Sequence, residues 1–178
     1  MPLYFAYGAN MDIADMAKRA PNSRPLGPAR LPRHRFIIMK EGYASVVRDP
    51  RHAVYGLLWD LTLADLRPLD KFEGVDRGLY SKIDQPVVVD GGAKRALVYV
   101  GHSAEPGRPK AGYLEGIIAS ARELGFPAIY LGELDRWLRG GSLKVADKPA
   151  GPVAGVQPTR ASPMERRERA KPDWEWKG

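Results

Sequence analysis

The stretch Leu3-Tyr4-Phe5-Ala6-Tyr7-Gly8-Ala9-Asn10-Met11 opens with an aromatic, β-prone run stopped by a glycine. That pattern predicts a short buried strand, Leu3–Tyr7, feeding a turn. Ile13, Met16 and Ala17 then recur at helical spacing, with Asn10 or Asp12 as the candidate cap. A strand that ends in a glycine turn and starts a helix aims backbone N–H groups outward, where they can hold an anion. The plainer reading of Gly8-Ala9-Asn10 is a strand-to-helix turn with Asn10 as its cap.

Outward from this stretch, Pro21, Pro25, Pro28 and Pro32 predict a loop over 21–32. Residues 35–39 and 44–47 read as strands joined at Glu41-Gly42, and 53–59 as a further apolar, β-prone run. Thr62 caps a helix with Asp65 in the capping-box position, and Pro68 predicts a kink or a split into two pieces. Residues 79–89 and 95–100 form a hairpin about Asp90-Gly91-Gly92. A Gly/Pro-rich loop spans 103–110. A helix marked by Tyr113, Ile117, Ala121 and Leu124 is closed by Gly125, and another apolar piece follows Pro127. This order is not a regular βαβ alternation. It predicts an α+β domain over 1–139, a mixed, mostly antiparallel small β-barrel with surrounding helices. Residues 140–178 carry recurring prolines, glycines and charges. They read as a basic tail, with Trp174 and Trp176 arguing for docking.

Composition removes several classes of chemistry. With 178 residues and no cysteine, the chain can hold neither a disulfide nor a thiolate site. His34, His52 and His102 are too scattered to suggest a zinc centre. There is no phosphate-cradling GxxxxGK[ST], no GxSxG elbow and no carboxylate cluster for a divalent metal. No apolar run is long enough to cross a membrane as a helix. The N-terminus lacks the pattern of a secretory leader, so a cytoplasmic location is the expectation. The net charge of +7 is spread out: residues 18–51 hold nine Lys or Arg against Glu41 and Asp49, in no single helical stripe. A solvated surface explains this better than a nucleic-acid face.

Glu73 stands out in Leu69-Asp70-Lys71-Phe72-Glu73-Gly74-Val75. It sits at a helix C-terminus, where acids are disfavoured. Beside Phe72 and Val75, desolvation would raise its pKa toward the range of a general acid or base. An exposed helix-end acid is the alternative. Tyr80, Tyr99 and Tyr113 fall on three different elements, each a core aromatic or a wall of a polar pocket.

Together these residues resemble the gamma-glutamylcyclotransferase family, the AIG2-like proteins. Tyr7-Gly8-Ala9-Asn10 is similar to that family's opening YGSN loop, with Ala9 in place of serine. Glu73-Gly74-Val75, then Gly78-Leu79-Tyr80, is similar to the segment carrying the catalytic glutamate and a following tyrosine. Tyr99 and Tyr113 match the later tyrosines. The resemblance covers residues 3 to about 138. It implies that the chain releases 5-oxoproline from a γ-glutamyl amide, with Glu73 as proton shuttle. Tyr7, Gly8, Ala9, Asn10, Tyr80, Tyr99 and Tyr113 would bind substrate, with the loop on the glutamyl α-carboxylate or the developing oxyanion. It implies no metal and no organic cofactor. The expected partner is the small-molecule substrate, with no membrane and no nucleic acid, as a monomer or homodimer. Loops 21–32 and 103–112 are expected to wall the leaving-group side. A binder of a small anionic or amino-acid-derived ligand, or a nucleic-acid- or partner-binding role for the basic tail, are the competing readings.

Overall fold

A computed structural model describes residues 2–140 of the chain. The docking expected of Trp174 and Trp176, and the rest of the tail beyond Gly140, lie outside the described residues. Five strands close into a barrel: β1 (Leu3–Ala6), β2 (Arg24–Ile38), β3 (Ala44–Asp60), β4 (Tyr80–Val89) and β5 (Gly92–Gly101). Their spatial order is β1-β3-β2-β4-β5. Every neighbouring pair is antiparallel except β1 with β5, which meet in parallel at Tyr4 and Leu97 and close the ring. Four helices accompany it: α1 (Ile13–Arg19), α2 (Leu63–Phe72), α3 (Tyr113–Glu123) and α4 (Ala128–Leu138). The mixed barrel with helices expected from the element order is the fold of this chain. No helix among the described residues is long and apolar enough to cross a membrane.

The proline-rich segment 21–32 is not a loop. Most of it belongs to β2, which pairs with β3 from Arg24 to Ile38. Prolines are tolerated because the other edge of β2 is bridged to β4 only at Arg30 and Val88, so few N–H donors are required there. Irregularities near Pro25 and Pro32 absorb the remaining misfit. The separate runs 44–47 and 53–59 are likewise one strand. The register passes from Pro32 opposite Ala53 to His34 opposite Arg48, leaving residues 49–52 to face Arg33 alone. Arg33 takes the left-handed conformation at φ 60°. Asp49 closes the bulge: its buried carboxylate accepts hydrogen bonds from the Arg51 backbone N–H at 3.1 Å and from Arg51 Nε at 3.3 Å, and lies 3.6 Å from Arg35 Nε. Polar residues in mid-strand hid this continuity.

Asp12, rather than Asn10, caps α1, its carboxylate accepting from the Asp15 N–H at 2.8 Å. In α2 the Thr62 hydroxyl is the cap, and Pro68 does not split the helix. Both Pro68 and Ala64, whose carbonyl loses its helical donor, are exposed, so water can take that bond. Asp65 does not complete a capping box. Its carboxylate turns instead to the Asn22 N–H at 2.9 Å and the Ser23 hydroxyl at 2.7 Å, pinning the start of β2 to α2. The core joins both faces of the barrel wall. Phe5, Leu31, Ile38, Leu57, Leu58 and Trp59 are almost wholly buried, with Met16, Leu69 and Leu114 packed from the helices. Each such side chain contributes roughly 1.5–3 kcal/mol on burial.

Candidate active site

One end of the barrel holds a cavity of about 190 Å³, walled by Tyr4, Tyr7, Tyr80, Tyr99 and Tyr113 and floored by the Gly8-Ala9-Asn10 turn and Glu73. The sequence scatters these groups; closure of β1 onto β5 brings them together. Strand β1 alternates its side chains, yet both Tyr4 and Tyr7 reach the cavity because the chain turns at Tyr7. Ala9–Met11 then forms a single 3-10 turn, its end tied back by the Met11 N–H to the Gly8 carbonyl at 3.0 Å. The N–H groups of Ala9 and Asn10 begin that turn and so have no partner within it. The space over Gly8 is filled: a Cβ added there would lie 3.3 Å from the Tyr113 hydroxyl. Glycine at this position therefore makes room for Tyr113.

Glu73 terminates α2 as its C-cap. Its carboxyl group is pushed up to about 7, first because burial opposes its charge and further because Asp70 stands nearby. A hydrogen bond from Asn10 and the positive charge of Arg19 work in the opposite direction. Asn10 is fully engaged. Its Nδ2 donates to Glu73 Oε1 at 2.7 Å and to the Tyr4 hydroxyl at 2.9 Å, while its Oδ1 accepts from Arg19 Nη1 at 2.8 Å. Arg19 fixes which way the Asn10 amide faces, since only the oxygen can accept from a guanidinium. Arg19 is itself held by Asp15 Oδ2 at 3.2 Å and by the Phe72 ring, whose centroid lies 4.1 Å from Cζ.

The tyrosines are oriented by bonds into the frame. Tyr7 donates to the Tyr99 carbonyl at 2.5 Å, and Tyr80 to the Ala44 carbonyl at 2.6 Å. Tyr99 donates to Asp70 Oδ1 at 2.6 Å, and the other Asp70 oxygen accepts from Lys82 at 2.8 Å. Tyr113 accepts from the Ala44 N–H at 3.2 Å. Burial, ahead of nearby charges, raises the pKa of each; that of Tyr113 reaches about 12. All four phenols therefore stay protonated near neutral pH, and Glu73 is the one carboxylate among the lining residues.

All eight residues expected at the site line this cavity. Sequence reasoning missed Tyr4, Arg19, Asp70 and Arg77. Asp70 lies three residues before Glu73 on the same helix, a spacing that could have flagged it. Arg19 carries no such signal. The expectation that 21–32 walls the pocket fails, because that segment is largely β2 and contributes no lining residue.

Arg19→Met is expected to lower kcat/KM roughly tenfold, the scale of one lost hydrogen bond from a charged donor. Since the Arg19 charge lowers the Glu73 pKa, its removal moves the acid limb of the pH–rate profile to higher pH. An unmoved limb would show that Arg19 serves only to hold α1.

Comparison with known proteins agrees with this architecture. The model of the AIG2-like family matches residues 53–134. Gamma-glutamylcyclotransferase of Homo sapiens is 28% identical over 141 residues, covering 72% of this chain and 74% of that protein. That of Bos taurus is 28% identical over 146 residues, covering 75% and 77%. A solved gamma-glutamyl cyclotransferase structure superposes with a TM-score of 0.70 at 25% identity, covering 88% of this chain and 93% of that one. By family model, by relatives and by barrel, the chain is similar to the AIG2-like proteins and gamma-glutamylcyclotransferases.

Proposed function

We propose that this cyclotransferase-family enzyme releases 5-oxoproline from a γ-glutamyl amide, with Glu73 moving the proton. The observation that carries the reading is a buried carboxylate near pKa 7, held by Asn10 in a tyrosine-walled cavity. The substrate's α-ammonium gives a proton to Glu73. The freed amine attacks the γ-carbonyl carbon, forming the C–N bond of a five-membered ring. The tetrahedral intermediate then expels the amide nitrogen, which takes the proton back from Glu73, while the ring nitrogen gives up its second proton and the released amine ends as its ammonium. One C–N bond forms, one breaks, and no water is consumed.

Magnitudes favour a tuned acid over an ordinary one. An α-ammonium titrates near 8, so transfer to a group at about 7 costs roughly 1.4 kcal/mol. Transfer to a glutamate at its ordinary value would cost about 5 kcal/mol. Ring closure itself needs chiefly a correctly folded substrate, and orientation can supply about 7–11 kcal/mol. The tyrosines supply that shape, with the Tyr7, Tyr80 and Tyr99 hydroxyls donating into the frame. The N–H groups of Ala9 and Asn10 would meet the α-carboxylate or the oxyanion; alanine at position 9 keeps the backbone donor that a serine would also offer.

The test is 5-oxoproline release from a panel of γ-glutamyl amides, followed by mass spectrometry, with Glu73→Gln alongside. Release by the wild type and not the variant is the expected result. No release from any panel member by the folded protein would sink the reading and favour a ligand binder.

A further inference from the structure

Lys82 on β4 stands directly opposite Tyr99 on β5. Residues paired across a ladder send their side chains to the same face, and here both reach one acid of α2. Lys82 Nζ donates to Asp70 Oδ2 at 2.8 Å, and the Tyr99 hydroxyl donates to Asp70 Oδ1 at 2.6 Å. The ion pair is partly shielded from water, with the Lys82 side chain 30% and that of Asp70 23% exposed. A single pair of this kind adds little to stability. It lies, however, one helical turn from the buried carboxyl group of Glu73.

Asp70 meets the site by two routes. On α2 it precedes Glu73 by three residues, the spacing at which helix side chains become neighbours, and its charge opposes ionisation of Glu73. Through Tyr99 it holds a ring that meets Tyr4 edge-on, with 5.4 Å between centroids. The Tyr4 hydroxyl in turn shares Asn10 Nδ2 with Glu73 Oε1.

Few other charges surround Glu73. Tyr4 and Tyr7 reach its cavity from β1, Tyr43 from the β2–β3 connection, Tyr80 from β4, Tyr99 from β5 and Tyr113 from α3. Phenols are uncharged near neutral pH. Arg19 of α1 acts through Asn10, and Arg77 lines the cavity from the turn that follows Glu73. Lys71, two residues before Glu73 on α2, falls on a different side of that helix. Lys82 is not among the lining residues, so its charge reaches Glu73 chiefly by offsetting that of Asp70.

Building on the reaction argued above, we propose that Asp70 and Lys82 form a positioning pair for Glu73: the charge of Asp70 strengthens Glu73 as a base, and Lys82 limits how far it does so. Neither residue touches the substrate. Asp70→Asn removes the charge and keeps an oxygen to accept from Tyr99, so the Glu73 proton is held less tightly. Lys82→Met leaves the Asp70 charge uncompensated, so the proton is held more tightly.

The experiment measures kcat/KM for 5-oxoproline release from γ-Glu-Ala against pH, in the wild type, Asp70→Asn, Lys82→Met and the double variant, with melting temperatures to confirm folding. Asp70→Asn is expected to move the acid limb down, and Lys82→Met to move it up, each by about half a pH unit, roughly threefold in rate on that limb. The double variant is expected to match Asp70→Asn, because Lys82 acts through Asp70. A pair that only pins β4 to α2 would change the melting temperature and leave both limbs in place, which overturns the proposal. So does a Lys82→Met shift of equal size without Asp70. Carbon NMR of labelled glutamate side chains, assigned with Glu73→Gln, reads the Glu73 titration without turnover. Opposite shifts there in proteins that release no 5-oxoproline would overturn the reaction and leave the pair standing.

Discussion

Glu73→Gln is expected to lower kcat by about a thousandfold, within the range that general acid–base catalysis supplies, and at the same time to make the protein more stable. The two effects have one origin. The Glu73 carboxyl group titrates at about 7 in the fold, against an ordinary value of 4.5, because burial disfavours its charge. The folded state thus binds the proton more tightly than the unfolded state between those values. Its favourable contribution is complete below about pH 4.5 and is lost as pH rises through 7. At pH 8 the buried charge costs about 3 kcal/mol. Glutamine carries no charge and keeps a carbonyl oxygen to accept from Asn10. The variant should therefore melt several degrees higher at pH 8, with the difference gone near pH 4.5. A residue kept for packing would give the opposite sign. Retained turnover, or a lower melting temperature at pH 8, would refute the role assigned to Glu73. In the wild type, kcat/KM should fall tenfold per pH unit below about 7, since the protonated acid cannot accept the ammonium proton.

Gly56→Ala is expected to cost at least ~4 kcal/mol, at the severe end of single substitutions. Gly56 lies in β3 where the end of β1 crosses it. A Cβ there would stand 2.2 Å from the Ala6 carbonyl oxygen and 2.7 Å from Phe5 Cζ. The Phe5 ring is fully buried, and the Ala6 oxygen is backbone of the strand paired with Leu57 next door. Neither can yield without parting β1 from β3. Because β1 delivers Tyr4, Tyr7 and the Gly8-Ala9-Asn10 turn, the same shift would disorganise the cavity. Urea denaturation of the variant measures this. A midpoint near that of the wild type would mean the strands part cheaply.

Much of the site could be read from local pattern. Glu73 declared itself as an acid at a helix C-terminus between apolar neighbours, and Tyr7-Gly8-Ala9-Asn10 as a strand-ending turn. What could not be read locally were partners from remote parts of the chain. Arg19 looks like a surface residue of a short helix, and only the fold sets it on Asn10 and Phe72. Asp70 looks like a solvated helix acid, yet it accepts the Tyr99 hydroxyl from a strand 29 residues away. Residues 21–32 were misjudged for a related reason. Proline argues against a strand only where a ladder hydrogen bond is required, and whether one is required depends on which edge is paired.

By itself the sequence determined most of the elements and their order, though not the continuity of β2 and β3, together with the absence of thiol chemistry and the residue types able to move a proton or wall a polar pocket. These follow from side-chain chemistry and near-neighbour sterics, which act within a few residues. The tertiary structure alone decided the electrostatics. It took closure of β1 on β5 to bury the Glu73 carboxyl group and to raise its pKa to about 7. It also took the meeting of Arg19 with Asn10 to choose which atoms face Glu73. Desolvation and hydrogen-bond orientation depend on what surrounds a group in space, and that is set only when distant segments pack.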